Sequence, residues 1–303
     1  SPGSVQAKDE DRVSQYDPFR HSLFKSFWVY PYLEDNYGYV VMDQQTKSLI
    51  AIDTGSFPES QYAIETIEEE HGAKLTHILT THWHDDHTGG NSEWKRYRPE
   101  VQIISGDTGV KIPGSTERMT DLQTFQLGDL CICCFFTPGH TKGHVSYIVT
   151  EVTETSTKTP FLFSGDALFV GGCGRILQGG SVEELYDSLM KLRGLPNETL
   201  LFCGHEYTKK NLMFAKTVDP KNDYVEHKFN WASQMVDQGR YTVGSTMMEE
   251  RMYNPFLRVN EPHFKELTGE DDPVRVLAKL RKFKDLAQRK KKSSTLWWPQ
   301  LKR

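Results

Sequence analysis

The sequence predicts an α/β domain followed by a smaller helical one, and three observations carry that expectation. Short β-rich apolar runs alternate with helical stretches up to about residue 205. Four of those runs end in turns that bear histidine or aspartate. Beyond Tyr207 the β signals fade and only helical patterns remain. A chain of 303 residues is long enough to give both parts a core. The expected boundaries are a poorly ordered polar extension over residues 1–24, the α/β domain over 25–205, and a helical domain over 206–303 that ends in the basic tail Arg289-Lys290-Lys291-Lys292.

Taken in order, residues 37–41 and 48–53 read as strands joined by the polar loop 43–47, a length suited to a hairpin. Residues 60–71 place Tyr62, Ala63, Ile64 and Ile67 among acids and are followed by Gly72, which gives a helix with a glycine C-cap. Residues 75–80 form a short apolar strand that runs straight into Thr81-His82-Trp83-His84-Asp85-Asp86-His87. The same pattern recurs where residues 130–136 lead into Gly139-His140, 161–164 into Gly165-Asp166, and 199–202 into Cys203-Gly204-His205. Residues 181–193 read as a helix with Ser181 as N-cap and Glu184 completing a capping box. Helices over 211–218, 224–237 and 273–290 follow.

Composition excludes several classes. Charged residues make up 25% of the chain, the net charge is −5 and the pI is about 6.1. No apolar run approaches the ~20 residues that a membrane-spanning helix needs. The mild acidity argues against a general nucleic-acid coat, which needs a basic face. The five cysteines, Cys131, Cys133, Cys134, Cys173 and Cys203, are odd in number and lack zinc-ribbon spacing, so they read as reduced thiols of an intracellular protein. Cys131 and Cys133 alternate with Ile132 and are strand residues to which no chemistry is assigned.

The strongest signal is His82-x-His84-x-Asp86-His87: three imidazoles and a carboxylate within six residues. This donor set suits zinc, iron or manganese. Just after a strand, His82 and His84 point the same way at period two, and the loop turns Asp86 and His87 toward a second position. A dinuclear site with open positions needs about six or seven ligands. The three other strand ends offer His140, Asp166 and His205, with His144 as a competitor for His140.

This spacing resembles the dinuclear site of the metallo-β-lactamase superfamily, whose fold is an αββα four-layer sandwich. The segments Gly165-Asp166-Ala167-Leu168-Phe169, Gly172-Cys173-Gly174-Arg175, Gly204-His205-Glu206-Tyr207-Thr208 and Tyr253-Asn254-Pro255-Phe256 are similar to the glyoxalase II (hydroxyacylglutathione hydrolase) branch. The resemblance covers roughly residues 27–288. It implies that His82, His84 and His140 hold one divalent ion, that Asp86, His87 and His205 hold the other, and that Asp166 bridges them. Zinc is the expected metal, with iron or manganese as alternatives. The implied chemistry is attack of a metal-bridging hydroxide on a thioester carbonyl, with Asp86 and Asp166 as the catalytic carboxylates.

The same resemblance assigns the helical domain to substrate binding. Glutathione carries two carboxylates, so its site needs fixed cations and phenolic donors. Arg175 stands where the family has lysine, Tyr207 is kept, and Arg281 and Lys284 match the family's Arg-x-x-Lys pair on the last helix. One departure is Leu177, which replaces a second tyrosine. The expected substrate is a glutathione thioester such as S-D-lactoylglutathione, with no nucleic-acid partner. The protein is expected to be a cytoplasmic or mitochondrial monomer. Rival readings are a mononuclear-iron persulfide dioxygenase, which shares Gly-Cys-Gly-Arg, and a weakly active relative such as the dyskinesia-associated protein. A nuclease would need a large basic surface that the chain lacks. A further role for the basic tail and Trp297-Trp298 would be contact with a protein or an anionic membrane.

Overall fold

The computed structural model describes residues 14–15, 26–153, 157–177 and 179–292. The extension over 1–24 apart from Ser14–Gln15, the side chains of the basic run at 289–292, and Trp297-Trp298 lie outside the described residues.

Two sheets face one another. The first has seven strands in sequence order: Ser14–Gln15, Phe27–Tyr32, Asn36–Met42, Ser48–Ile52, Lys74–Leu79, Gln102–Gly106 and Glu117–Met119. The second has six, ordered Ser245–Thr246, Leu200–Cys203, Phe161–Gly165, Val145–Glu151, Leu130–Phe136 and Thr124–Leu127. Strand Asn36–Met42 is buried at every position. Its two faces explain this: Tyr37, Tyr39 and Val41 point between the sheets, while Val40 and Met42 point outward under Ala63, Ile64 and Ile67 of helix Phe57–His71. Helix Val182–Arg193 packs Leu185, Leu189 and Leu192 onto the second sheet and opens with the expected capping box. Helix, sheet, sheet and helix form four layers.

Between the sheets Phe27, Tyr39, Phe161, Phe163 and Phe202 make an aromatic cluster, with the Phe27 and Phe202 rings 4.6 Å apart. Strands Ser48–Ile52 and Lys74–Leu79 run parallel, as do Phe161–Gly165 and Leu200–Cys203. Parallel neighbours end on the same side, so their loops converge at one rim.

Apart from Ser245–Thr246, which joins the edge of the second sheet, the last part is helical: Thr208–Val218, Asp223–Asp237, Met247–Tyr253, Pro262–Thr268 and Pro273–Lys292. Its Phe214, Phe256, Phe264, Leu277 and Leu280 belong to the same continuous apolar cluster as the space between the sheets. Glu250, fully buried, accepts hydrogen bonds from Tyr253 Oη (2.7 Å), Gly171 N (3.0 Å) and Asn254 Nδ2 (2.8 Å), and so ties the helical part to the Leu168–Phe169/Gly172–Cys173 ribbon. No described helix is long and apolar enough to cross a membrane.

Candidate metal centre

The rim brings all seven expected donors together in three overlapping groups: His82, His84 and His140; Asp86, His87 and His205; and His82, His87 and Asp166. His84 Nδ1 lies 2.8 Å from His82 Nε2 and 3.1 Å from His140 Nε2. His205 Nε2 lies 3.3 Å from both His87 Nε2 and Asp86 Oδ2. Asp166 stands between the two trios, with Oδ2 at 3.5 Å from His140 Nε2 and 3.4 Å from His205 Nε2.

Outer contacts fix the rings. His87 Nδ1 meets Asp53 Oδ2 at 2.8 Å, His205 Nδ1 meets Asp35 Oδ1 at 2.9 Å, and His140 Nδ1 donates to the Arg175 carbonyl at 2.8 Å. In each case the second nitrogen is left to face the centre, as ligating histidines require. His144 is excluded by the same reasoning: its Nδ1 is bonded to Thr137 Oγ1 at 2.9 Å and its Nε2 accepts from Asp166 N at 3.0 Å, so neither nitrogen is free.

Burial, reinforced by neighbouring imidazoles, holds His82 and His144 well below the usual histidine range and so keeps them neutral. Burial alone would raise Asp166, but the His205 and His87 imidazoles outweigh it and hold its carboxyl well below the usual range. His205 is pushed the other way: burial lowers it, but the carboxylates of Asp166, Asp35 and Asp86 raise it far more. Positive charge is thus favoured at His205, among the carboxylates, and disfavoured at His82.

Two features test whether metal ions fit. Asp166 Oδ1 is buried without a hydrogen-bond partner, 3.4 Å from His87 Nε2. Three imidazole nitrogens converge within about van der Waals distance at the first trio, an arrangement that a shared cation satisfies and neutral lone pairs do not. Glycine makes the approach feasible: a Cβ at Gly204 would sit 2.5 Å from Asp166 Oδ1, and at Gly174 it would sit 2.0 Å from the Asp166 carbonyl oxygen. The residues fit a pair of divalent ions.

The cationic candidates lie beside the centre. Arg281 and Lys284 are 4% and 3% exposed, so they do not form a solvated helix face. Arg281 Nη1 donates to the Cys173 carbonyl and Nη2 to Asp285 Oδ1, both at 2.8 Å, while its buried Nε has no partner. Lys284 Nζ bonds Asn211 Oδ1 and lies over the Phe256 ring. Burial, then the Arg281 charge, lowers it well below the usual lysine range. Tyr207 stacks on His205 with centroids 4.8 Å apart, and burial pushes its phenol up to about 12. Arg175 is more exposed and is drawn toward Gln288 and Asp285 of the last helix. Leu177, 40% exposed, meets the site through its backbone, its N–H donating to the His140 carbonyl at 2.9 Å.

Sequence reasoning missed Asp53, Asp35 and Asn36. Asp53 had a readable signal, since it directly follows strand Ser48–Ile52 as the donors follow theirs; the structure adds that it adopts φ 52°, a conformation non-glycine residues rarely take. Asp35 and Asn36 carry no such mark.

The metallo-beta-lactamase superfamily model matches residues 35–205, and the model for the hydroxyacylglutathione hydrolase C-terminus matches residues 206–287. A hydroxyacylglutathione hydrolase-like protein of Gallus gallus is 42% identical over 254 residues, covering 84% of this chain and 87% of the relative. The cytoplasmic hydroxyacylglutathione hydrolase of Arabidopsis thaliana is 38% identical over 257 residues, covering 84% and 96%. Among solved structures, ETHE1 from Myxococcus xanthus superposes with TM-score 0.56 at 24% identity over 81% of this chain and 84% of that one, a likeness of fold. The two matched models meet at His205 and Glu206, where the last donor of the centre passes into the helical part that carries Arg281 and Lys284. The chain therefore belongs to the hydroxyacylglutathione hydrolase family of the metallo-β-lactamase superfamily.

Proposed function

We propose that the chain hydrolyses glutathione thioesters, with S-D-lactoylglutathione, cleaved to D-lactate and glutathione, as the first substrate. The observation that supports this best is the interlocked donor set with a buried cationic pair beside it. His82, His84 and His140 would hold one ion, Asp86, His87 and His205 the other, and Asp166 both. Zinc is the proposed metal; iron and manganese accept the same donors. Bound there, divalent ions supply a nucleophile at neutral pH by lowering the pKa of a coordinated water from 15.7 to about 7.

The remaining work falls to side chains. Arg281, whose buried Nε–H lacks a partner, and the more exposed Arg175 would supply the charge that a substrate carboxylate needs, Lys284 would add N–H donors, and Tyr207, protonated at neutral pH, would donate a hydrogen bond. A water oxygen bonds to the acyl carbon as its O–H bonds break and its protons pass to solvent, the C–S bond breaks, and the departing thiolate takes up a proton from solvent to give the thiol. Asp166, 7% exposed and within 3.5 Å of His140 and His205, would keep the two trios in register. The apolar Leu177 side chain donates nothing to the thiol, so affinity rests on the cations.

The glutathione part is tested by placing one acyl group on glutathione and on N-acetylcysteamine, with Arg281→Met beside wild type. A charge-assisted hydrogen bond contributes about 1.5–3 kcal/mol, so Arg281→Met should lower kcat/KM for the glutathione ester by roughly 10–100-fold and leave the short thiol ester unchanged. Equal losses on both would remove glutathione from the reading. We place the protein in the cytoplasm or mitochondria, which fractionation of cells expressing the full-length chain checks.

A further inference from the structure

The two metal positions are supported unequally. Phe27–Tyr32 and Asn36–Met42 pair through Tyr32 and Asn36, so residues 33–35 form the tip of a hairpin. That tip bends at Leu33, held at φ 52°. Among the described residues, the hairpin's side-chain hydrogen bonds to donors reach Asp86 and His205. Tyr32 Oη donates to the Asp86 carbonyl at 2.8 Å, and Asn36 Nδ2 donates to Asp86 Oδ2 at 3.0 Å. Asp35 Oδ1 meets His205 Nδ1 at 2.9 Å, and Asn36 Nδ2 approaches His205 Nε2 at 3.5 Å.

Backbone bonds lock the same pieces: Tyr37 N donates to the Gly204 carbonyl at 2.9 Å and Glu206 N to the Asp35 carbonyl at 2.8 Å. Glu206 in turn accepts from Tyr37 Oη and from Thr242 N. Room is tight as well, since a Cβ on Gly55 would lie 1.9 Å from the Asp86 oxygen and 2.8 Å from the Tyr32 ring. The first trio is anchored elsewhere, His82 through Thr81 and His140 through the Arg175 carbonyl.

We infer that the Tyr32–Asn36 hairpin is a positioning device for the Asp86–His87–His205 position, so that loosening it weakens metal binding there and leaves the His82–His84–His140 position at full affinity. The inference rests on the two-ion reading above. Asn36 fixes the carboxylate of Asp86 and Asp35 fixes the tautomer and ring plane of His205, acting through those residues and not on substrate. Outer contacts of this kind typically account for 10–100-fold in metal affinity.

The test is zinc binding by Asn36→Ala and Asp35→Asn, measured by elemental analysis after dialysis against a chelator of set strength and by competition with a chromophoric chelator. Glu34→Gln, which removes an exposed charge beside Asp35, is the control, and far-UV circular dichroism checks the fold. The expected result is two ions in wild type and Glu34→Gln, and one tight ion with a second weakened 10–100-fold in the two variants. Adding His205→Ala to Asn36→Ala should remove the weakened ion and leave the tight one, whereas adding His84→Ala should remove both ions. Two ions at wild-type affinity in folded Asn36→Ala and Asp35→Asn, or equal weakening of both ions, would overturn the inference. Fewer than two ions in wild type would instead overturn the two-ion reading on which it stands.

Discussion

Asp53→Asn changes one atom and should disarm a metal ligand that it never replaces. The Asp53 carboxylate is 3% exposed and accepts three hydrogen bonds: from Thr81 N at 2.9 Å, from Thr81 Oγ1 at 2.8 Å and from His87 Nδ1 at 2.8 Å. An amide offers one acceptor oxygen and one donor nitrogen. With the oxygen kept on the Thr81 N–H, the new NH2 faces His87 Nδ1, so that nitrogen must give up its proton. In a neutral ring the proton then sits on Nε2, the atom 3.4 Å from Asp166 Oδ1 and 3.3 Å from His205 Nε2 that has to face the ion. Losing such a partner weakens metal binding about 10–100-fold, which is roughly 1.4–2.7 kcal/mol at 1.36 kcal/mol per decade. The metal-free fold should lose about 1–3 kcal/mol with the charge-assisted bonds. Zinc competition with a chromophoric chelator and urea unfolding in EDTA measure the two effects separately. Affinity within twofold of wild type together with unchanged stability would refute the tautomer argument.

Two further outcomes follow from the packing. Burial raises the Glu250 carboxyl despite the donors around it, so its contribution to stability is full below the unfolded value of about 4.3 and declines as pH rises through the raised folded value. Glu250→Gln should therefore flatten the pH dependence of urea unfolding above about pH 4, because the amide oxygen keeps Gly171 N and Asn254 Nδ2 while Tyr253 Oη turns toward Ser245 Oγ, 2.6 Å away; a difference that does not vary with pH would rule out a raised buried carboxyl. Phe202→Ala, at a fully buried position between the sheets with ring neighbours at 4.6–5.7 Å, should cost about 3–5 kcal/mol in urea unfolding, and a cost under about 1 kcal/mol would mean that the sheets close over the gap.

Much of this architecture is readable from local pattern. The helices over Phe57–His71 and Val182–Arg193 announce themselves by a glycine cap and a capping box, and the structure contains both. The donor residues are legible because apolar strands end in polar turns, and a strand end fixes where the next side chains go. What stays hidden depends on distant contacts or on elements too short to show a period. The ribbon Leu168–Phe169/Gly172–Cys173 has two residues a side, and the edge strand Thr124–Leu127 alternates exposed and half-buried residues only once it is paired. Asp35 reaches His205 across 170 positions, and nothing near either residue marks the pairing. Arg281 and Lys284 look the same in sequence whether they face water or protein; packing over Phe256 decides it, and that residue lies on another element.

Thiol release from S-D-lactoylglutathione, followed with a thiol reagent on zinc-loaded wild type and on Asp166→Ala, tests the hydrolase reading, because the Asp166 carboxylate reaches donors of both trios. Turnover is expected in wild type, abolished by chelation and restored by zinc, and absent in Asp166→Ala. Thiol release that survives chelation or persists in Asp166→Ala, or none from a wild type holding two ions, would contradict that reading.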